Sequence, residues 1–260
     1  MQMKARMLTA AVAAMLLLSG CHREEFTLQG TLEGGAGRTL WLEELSPEGG
    51  IFIDSIPVDA SGHFKCRVPL PYPSFYNLHT SAENYVVLLP GRGERIEVEG
   101  RWENLSLTYT VEGSPESVLL WDLQQQSNAC EQVVSRLVDT SMRYAALRQR
   151  GLVSKADSAA KKRETDSIFR QTRQEMRTYV YDFLEDNQGS LSTLIALYKP
   201  FNGRPLIDSR DSACVDWYVL VAEGLEARLP DNPHTLHFLP VAERVRMAYQ
   251  AVPQNIPAKD

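Results

Sequence analysis

Near Gly113 the spacing of apolar residues changes period, and that change limits the fold more than any other feature of the 260-residue chain. Before it, short runs alternate apolar and polar side chains, the period of half-buried strands. After it, apolar residues recur every three or four positions, the period of helices packed on one face. The sequence therefore predicts an α+β protein with an N-terminal antiparallel β-sandwich-like module over residues 21–112. An α-helical domain over 113–260, built on a long helical hairpin, should follow it.

In the first half, Phe26 to Leu32 and Thr39 to Glu43 read as strands separated by Gly34-Gly35-Ala36-Gly37. Ile51 to Ile56 and His63 to Val68 flank Asp59-Ala60-Ser61-Gly62 and predict a hairpin, because glycine takes positive φ there without steric cost. Tyr85 to Leu89 and Arg95 to Glu99 flank Pro90-Gly91-Arg92-Gly93-Glu94 and predict a second hairpin, with Leu105 to Val111 as the last strand. Gly91-Arg92-Gly93 is followed by a strand pattern, so it lacks the helix N-terminus that a phosphate-cradling loop needs.

In the second half, Ser114-Pro115 supplies a cap and a first-turn proline. Leu119, Leu123, Cys130, Val133, Val134, Leu137 and Val138 then mark a helix that Gly151-Leu152-Val153-Ser154 interrupts. Ile168, Thr172, Met176, Val180 and Phe183 mark the returning arm, ended by Asn187-Gln188-Gly189. Shorter helices are expected over Leu191 to Tyr198, from about Ser209 to Arg228 and from about Pro240 to Gln250.

The first twenty residues carry a different message. Lys4 and Arg6 precede the twelve-residue apolar run Met7 to Leu18, and Leu18-Ser19-Gly20-Cys21 closes it. As a helix that run is about 18 Å long, short of the roughly 30 Å hydrocarbon core of a bilayer. It reads as a lipoprotein signal peptide over residues 1–20, cleaved between Gly20 and Cys21, with Cys21 as the lipidation site. A thioether-linked diacylglycerol and an amide-linked acyl chain such as palmitate would bury tens of methylenes at about 0.8 kcal/mol each, a permanent anchor. His22 stands where an aspartate would argue for inner-membrane retention, so the expected place is the outer membrane, on its periplasmic or its surface face.

Removing the signal takes the formal charge from −6 to −8. That opposes nucleic acid as a partner. The acidity sits in the first half, with 7 Lys/Arg against 14 Asp/Glu from His22 to Glu112 and 18 against 19 beyond.

Three cysteines remain, Cys66, Cys130 and Cys214, so at most one internal disulfide can form. Cys66 shares a face with Phe64 and Val68 and reads as a small core residue. Cys130 and Cys214 lie on apolar helical faces. A Cys130–Cys214 disulfide would tie the hairpin to the later helices, and two buried thiols are the other reading, since nothing in the sequence fixes the Cα separation a bridge needs.

Catalytic signatures fail for want of supporting groups. His234-Thr235-Leu236-His237 has a metal-compatible spacing but too few ligands for zinc. Ser158-Ala159-Ala160-Lys161 matches Ser-x-x-Lys without its partner motifs. The basic run Lys155 to Arg177 reads as a solvated helical stripe. No enzyme, cofactor or metal is expected.

The order of short motifs Phe26-x-Leu-x-Gly30, Asp54-Ser55, Val58-Asp59-x-x-Gly62-x-Phe64, Pro90-Gly91 and Val111-Glu112-Gly113-Ser114 resembles the bacterial lipoprotein module catalogued as domain of unknown function 4369, common in Bacteroidetes-type bacteria. The resemblance spans about residues 22 to 120. It implies a β-sandwich-like module, often followed in that family by a helical spacer and a thioredoxin-like domain. This chain reaches Pro257-Ala258-Lys259-Asp260 about where that domain would begin, and it has no Cys-x-x-Cys. The expectation is therefore a cell-envelope lipoprotein that binds or scaffolds a protein or another envelope ligand without catalysis. A truncated or accessory relative of a thiol-disulfide oxidoreductase is the alternative.

Overall fold

A computed structural model describes residues 24–250. The expected signal peptide, with Gly20 and the expected lipidation site Cys21, and the last ten residues lie outside the described residues. The protein is mixed α/β, with sheets in the N-terminal region and helices after them.

Eight strands form two four-stranded sheets: β1 Glu25–Glu33, β2 Thr39–Ser46, β3 Gly49–Pro57, β4 His63–Pro69, β5 Phe75–Ser81, β6 Asn84–Leu88, β7 Arg95–Arg101 and β8 Thr110–Glu112. The first sheet has the order β4-β1-β7-β8 and the second β3-β2-β5-β6. Alternation on β1 buries Phe26, Leu28, Gly30 and Leu32. Phe26, Leu28 and Leu32 share one apolar cluster with Leu40, Leu42 and Leu78 of the second sheet and with Ile96 and Val98 of β7. Between them lies the first core.

Both expected hairpins are corrected. β3 and β4 belong to different sheets, as do β6 and β7. The Asp59 to Gly62 turn forms, with the Asp59 carboxylate accepting from the Ser61 and His63 amides at 2.7 and 3.0 Å and Gly62 at φ +85°. It carries the chain across from one sheet to the other, as the Pro90 to Glu94 segment does in turn. Consequently β1 pairs parallel with β7, Leu28 opposite Ile96 and Gly30 opposite Val98, so the first sheet is not purely antiparallel. Parallel neighbours need a long crossover, and here the second sheet supplies it.

The expected strand from Leu105 to Val111 is also corrected. A 3-10 turn at Trp102–Asn104 and one helical turn, α1 Leu105–Thr108, precede β8. The Asn84 amide donates to the Trp102 carbonyl at 2.7 Å and its oxygen accepts from the Ser106 amide at 3.0 Å, while fully buried Leu105 plugs the core.

The helical part comprises α2 Pro115–Gln149, α3 Lys155–Asp186, α4 Ser192–Leu197, α5 Val215–Arg228 and α6 Pro233–Gln250. Ser114 caps α2 by accepting from the Ser117 amide at 3.4 Å. The last helix begins at Pro233, not near Pro240, because the Asn232 side chain accepts from the His234 amide at 2.9 Å and Pro233 needs no donor in the first turn. Pro240 then sits inside the helix, four residues after exposed Leu236, whose carbonyl it cannot serve. A two-residue ribbon, β9 Pro200–Phe201 with β10 Arg204–Pro205, turns at Asn202-Gly203, both at positive φ. Asn-Gly is the strongest short hairpin signal.

Leu123, Cys130 and Val134 of α2 meet Met176, Val180 and Leu184 of α3 in a second apolar cluster, which α4, α5 and α6 complete. Phe75 and Leu89 from the β half are buried in that same cluster. The second sheet therefore contributes to two cores, one on each face.

Candidate functional site

Three places concentrate functional groups: the end of the β half where the N-terminal segment enters, the seam between the halves, and the thiols of the helical core. At the first, the Glu24 carbonyl accepts from the Leu70 amide at 2.7 Å and the Glu25 carbonyl from the Gly93 amide at 2.8 Å. Arg92 lies 3.5 Å from the Glu24 carboxylate and also donates to the Pro71 carbonyl. The chain is thus secured three residues after Cys21.

At the seam, β-half backbone meets helical side chains. The Asn232 amide donates to the Pro73 carbonyl at 2.7 Å, and the Trp121 indole donates to the Tyr109 carbonyl at 2.7 Å. Ser117 accepts from the Leu89 amide at 3.0 Å and Ser114 donates to the Leu89 carbonyl at 3.2 Å. The Ser74 hydroxyl and His234 Nε2 are 3.1 Å apart, with the Phe75 ring edge-on to the imidazole at 5.1 Å. A Ser–His pair is the start of a nucleophilic site, but Ser74 is completely buried and no substrate could reach it. Here the pair acts as a structural tie.

Burial holds His234 below the ordinary histidine range, opposed by the Glu44 charge and reinforced by His237. Its neutral form is therefore the folded form. Stability from this group is complete above the unfolded pKa of about 6.5 and is lost as pH falls through the lower folded value. The melting temperature should drop on acidification from pH 7.5, and His234→Gln, which keeps a partner for Ser74, should flatten that dependence. An unchanged slope in thermal melts would contradict the assignment.

Cys130 and Cys214 occur as free thiols, both buried in the helical cluster, and no bridge joins them. Burial, then Glu175 and Glu131, pushes the Cys130 thiol up. An Arg177 guanidinium nitrogen lies 3.7 Å from the Cys214 sulfur. Cys66 is also free, and burial assisted by Asp54 pushes it up to about 12. For Cys66 and Cys130 this is the reverse of an activated thiol.

The sequence candidates scatter. His234 is in the seam while His237 is exposed, and no group of three potential metal ligands gathers among the described residues. Lys161 pairs with Glu164 at 2.6 Å and stands over the Tyr144 ring at 5.5 Å, so its ammonium is held by a carboxylate and a ring.

One site the sequence did not signal is a cleft of about 180 Å³ between β6 and α2, lined by Tyr85, Val87, Leu123, Ile195 and Lys199. Burial lowers the Lys199 pKa, against an upward pull from Glu131, and its ammonium donates to Gln124 Oε1 at 2.9 Å. Lys199 follows Tyr198 as an ordinary polar residue after a short helix, so no local pattern marks it.

No protein-family model, curated protein or solved structure matches the chain.

Proposed function

We propose that the protein is an outer-membrane lipoprotein, held by acyl chains on Cys21, whose body is a non-enzymatic binding module of the cell envelope. We read the two sheets as a β-sandwich-like module of the domain-of-unknown-function 4369 type, and α2 with α3 as a helical hairpin. The support is a basic, apolar, Leu-Ser-Gly-Cys leader combined with a body that starts immediately after it. From Cys21 to Glu24 the chain can span at most about 11 Å, so the entry end of the β half would stand against the bilayer. No helix of the described residues is long and apolar enough to cross a membrane.

The same end holds Leu89 and, bonded to it, the first turn of α2. At about 1.5 Å per residue the 35-residue α2 is about 52 Å long. Its start lies by Leu89 and its next turns pass Val87 and Tyr85, so it runs away from the entry end. A partner met by the far end of the hairpin is then met well clear of the anchoring lipid.

Cell fractionation tests the reading. The wild-type chain should sediment with membranes through a high-salt wash, and Cys21→Ser should move to the soluble fraction. A wild-type chain that is soluble from the start would overturn it.

A further inference from the structure

Between Val134 of α2 and Thr165 of α3 no residue is buried, so the outer part of the hairpin leaves the core as a two-helix arm. At 15 residues from Val134 to Gln149 it extends about 22 Å. Its seam is thin. Leu137, Tyr144 and Leu147 are only half-buried, and between the helices lies a groove of about 680 Å³ lined by Ser141, Tyr144, Ala145, Arg148, Ser158 and Lys162. Small side chains on both helices make the trough, because Ser141, Ala145 and Ser158 cannot fill the space that leucines would. Met142 and Val138, three and seven residues before Ala145, continue the same stripe of α2 along the rim, and they are 64% and 42% exposed.

Cations outnumber acids on the arm: from Val134 to Thr165 eight Lys and Arg stand against Asp139, Asp157 and Glu164. Glu164 and Asp166 are taken by Lys161 and Lys162, each at 2.6 Å, and Asp157 bonds the Ser154 hydroxyl at the start of α3. Arg136, Arg143, Arg148, Arg150, Lys155 and Arg163 make no ion pair among the described residues. An apolar rim beside surplus cations attracts an amphipathic anion and repels a second copy of the same arm.

We propose that this groove docks an acidic amphipathic helix of a partner protein in the envelope. About two turns fit the 12 Å from Ser141 to Gln149 at about 1.5 Å per residue. Apolar side chains of that helix lie on Tyr144, Ala145 and Met142, and its carboxylates face Arg148, the groove cation without an ion pair among the described residues. The small groove residues let the two backbones approach, as helix-in-groove recognition requires. The proposal rests on the reading of the protein as a tethered binding module, which places the arm on the side away from the anchoring bilayer.

The test uses the full chain purified from membranes in nonionic detergent and two fluorescent synthetic helices. Both carry the same leucine stripe, one flanked by glutamates and the other by lysines. The glutamate helix should bind, weakening as salt is raised. Arg148→Glu, which reverses a charge, and Ala145→Trp, which fills the trough, should each weaken it by about tenfold or more. Both positions are surface sites, and unchanged circular dichroism would show that folding is kept. Failure of the glutamate helix to bind at about 1 mM, equal binding of the lysine helix, or wild-type affinity in both variants would overturn the proposal. So would binding of phosphatidylglycerol vesicles through Arg148 with no peptide binding, which would make the arm a lipid-binding element. The mass of the same sample reports acylation separately: peptide binding by an unacylated chain would support the groove and overturn the tether, and acylated chain without peptide binding would do the reverse.

Discussion

Gly113→Ala is expected to destabilise the protein by about 3 to 5 kcal/mol, among the largest effects a single methyl group can have. Gly113 joins β8 to the Ser114 cap at φ +79°, a left-handed conformation that costs a residue with a Cβ about 1 to 2 kcal/mol. The added carbon would also lie 1.9 Å from the Arg95 carbonyl oxygen. To relieve that overlap β7 must move off β8, or the start of α2 must swing off Leu89. Gly37 is the control, since it too has positive φ, at +72°, but nothing lies within 4 Å of the place a Cβ would take. Gly37→Ala should cost only about 1 kcal/mol. Urea unfolding of the two variants measures the difference, and equal losses would show that the close approach to Arg95 does not matter.

Phe75→Ala should cost about 3 to 5 kcal/mol, the usual range for emptying a buried phenylalanine site. Its particular consequence is shared by both halves. Phe75 lies on β5 but its ring is in the helical cluster, 4% exposed, while its neighbour Tyr76 is buried on the opposite face among the strands. The variant should unfold in a single transition at lower denaturant, with sheet and helix signals moving together. Two separated transitions in the wild type would mean that the halves fold independently and that the seam contributes little. A loss below about 1 kcal/mol would mean that the site collapses around the missing ring.

The helical half was largely legible because its signals are local. Ser114-Pro115 announced a cap, Gly151 a break and Asn187-Gln188-Gly189 an end, and each lies within two residues of an observed boundary. The start of α6 follows the same logic at Asn232-Pro233, an asparagine cap and a first-turn proline seven residues ahead of the expected Pro240. In the β half the turn residues marked the reversals but not the pairing. Asp59 and Gly62 bend the chain identically whether the next strand returns to its own sheet or joins the facing one, and only burial on the far side decides. β5 showed no alternation because both of its faces are covered, Phe75 by helices and Tyr76 and Leu78 by strands.

The functional surfaces divide along the same line. The proposed leader is written in consecutive residues and needs no fold to be read, though Cys21 itself lies outside the described residues. The seam ties, Asn232 to Pro73 and His234 to Ser74, join positions about 160 apart in sequence. The arm groove could not be foreseen for another reason. Ser141, Ala145 and Ser158 look like an ordinary solvated face until a second helix is laid beside them.

Intact mass measurement of the protein extracted from its own membranes bears most directly on the whole account. A chain beginning at Cys21 and heavier by a diacylglycerol and one further acyl group is the expected result. A mass matching residues 1–260 without addition, or a chain trimmed at Cys21 but free of lipid, would contradict it.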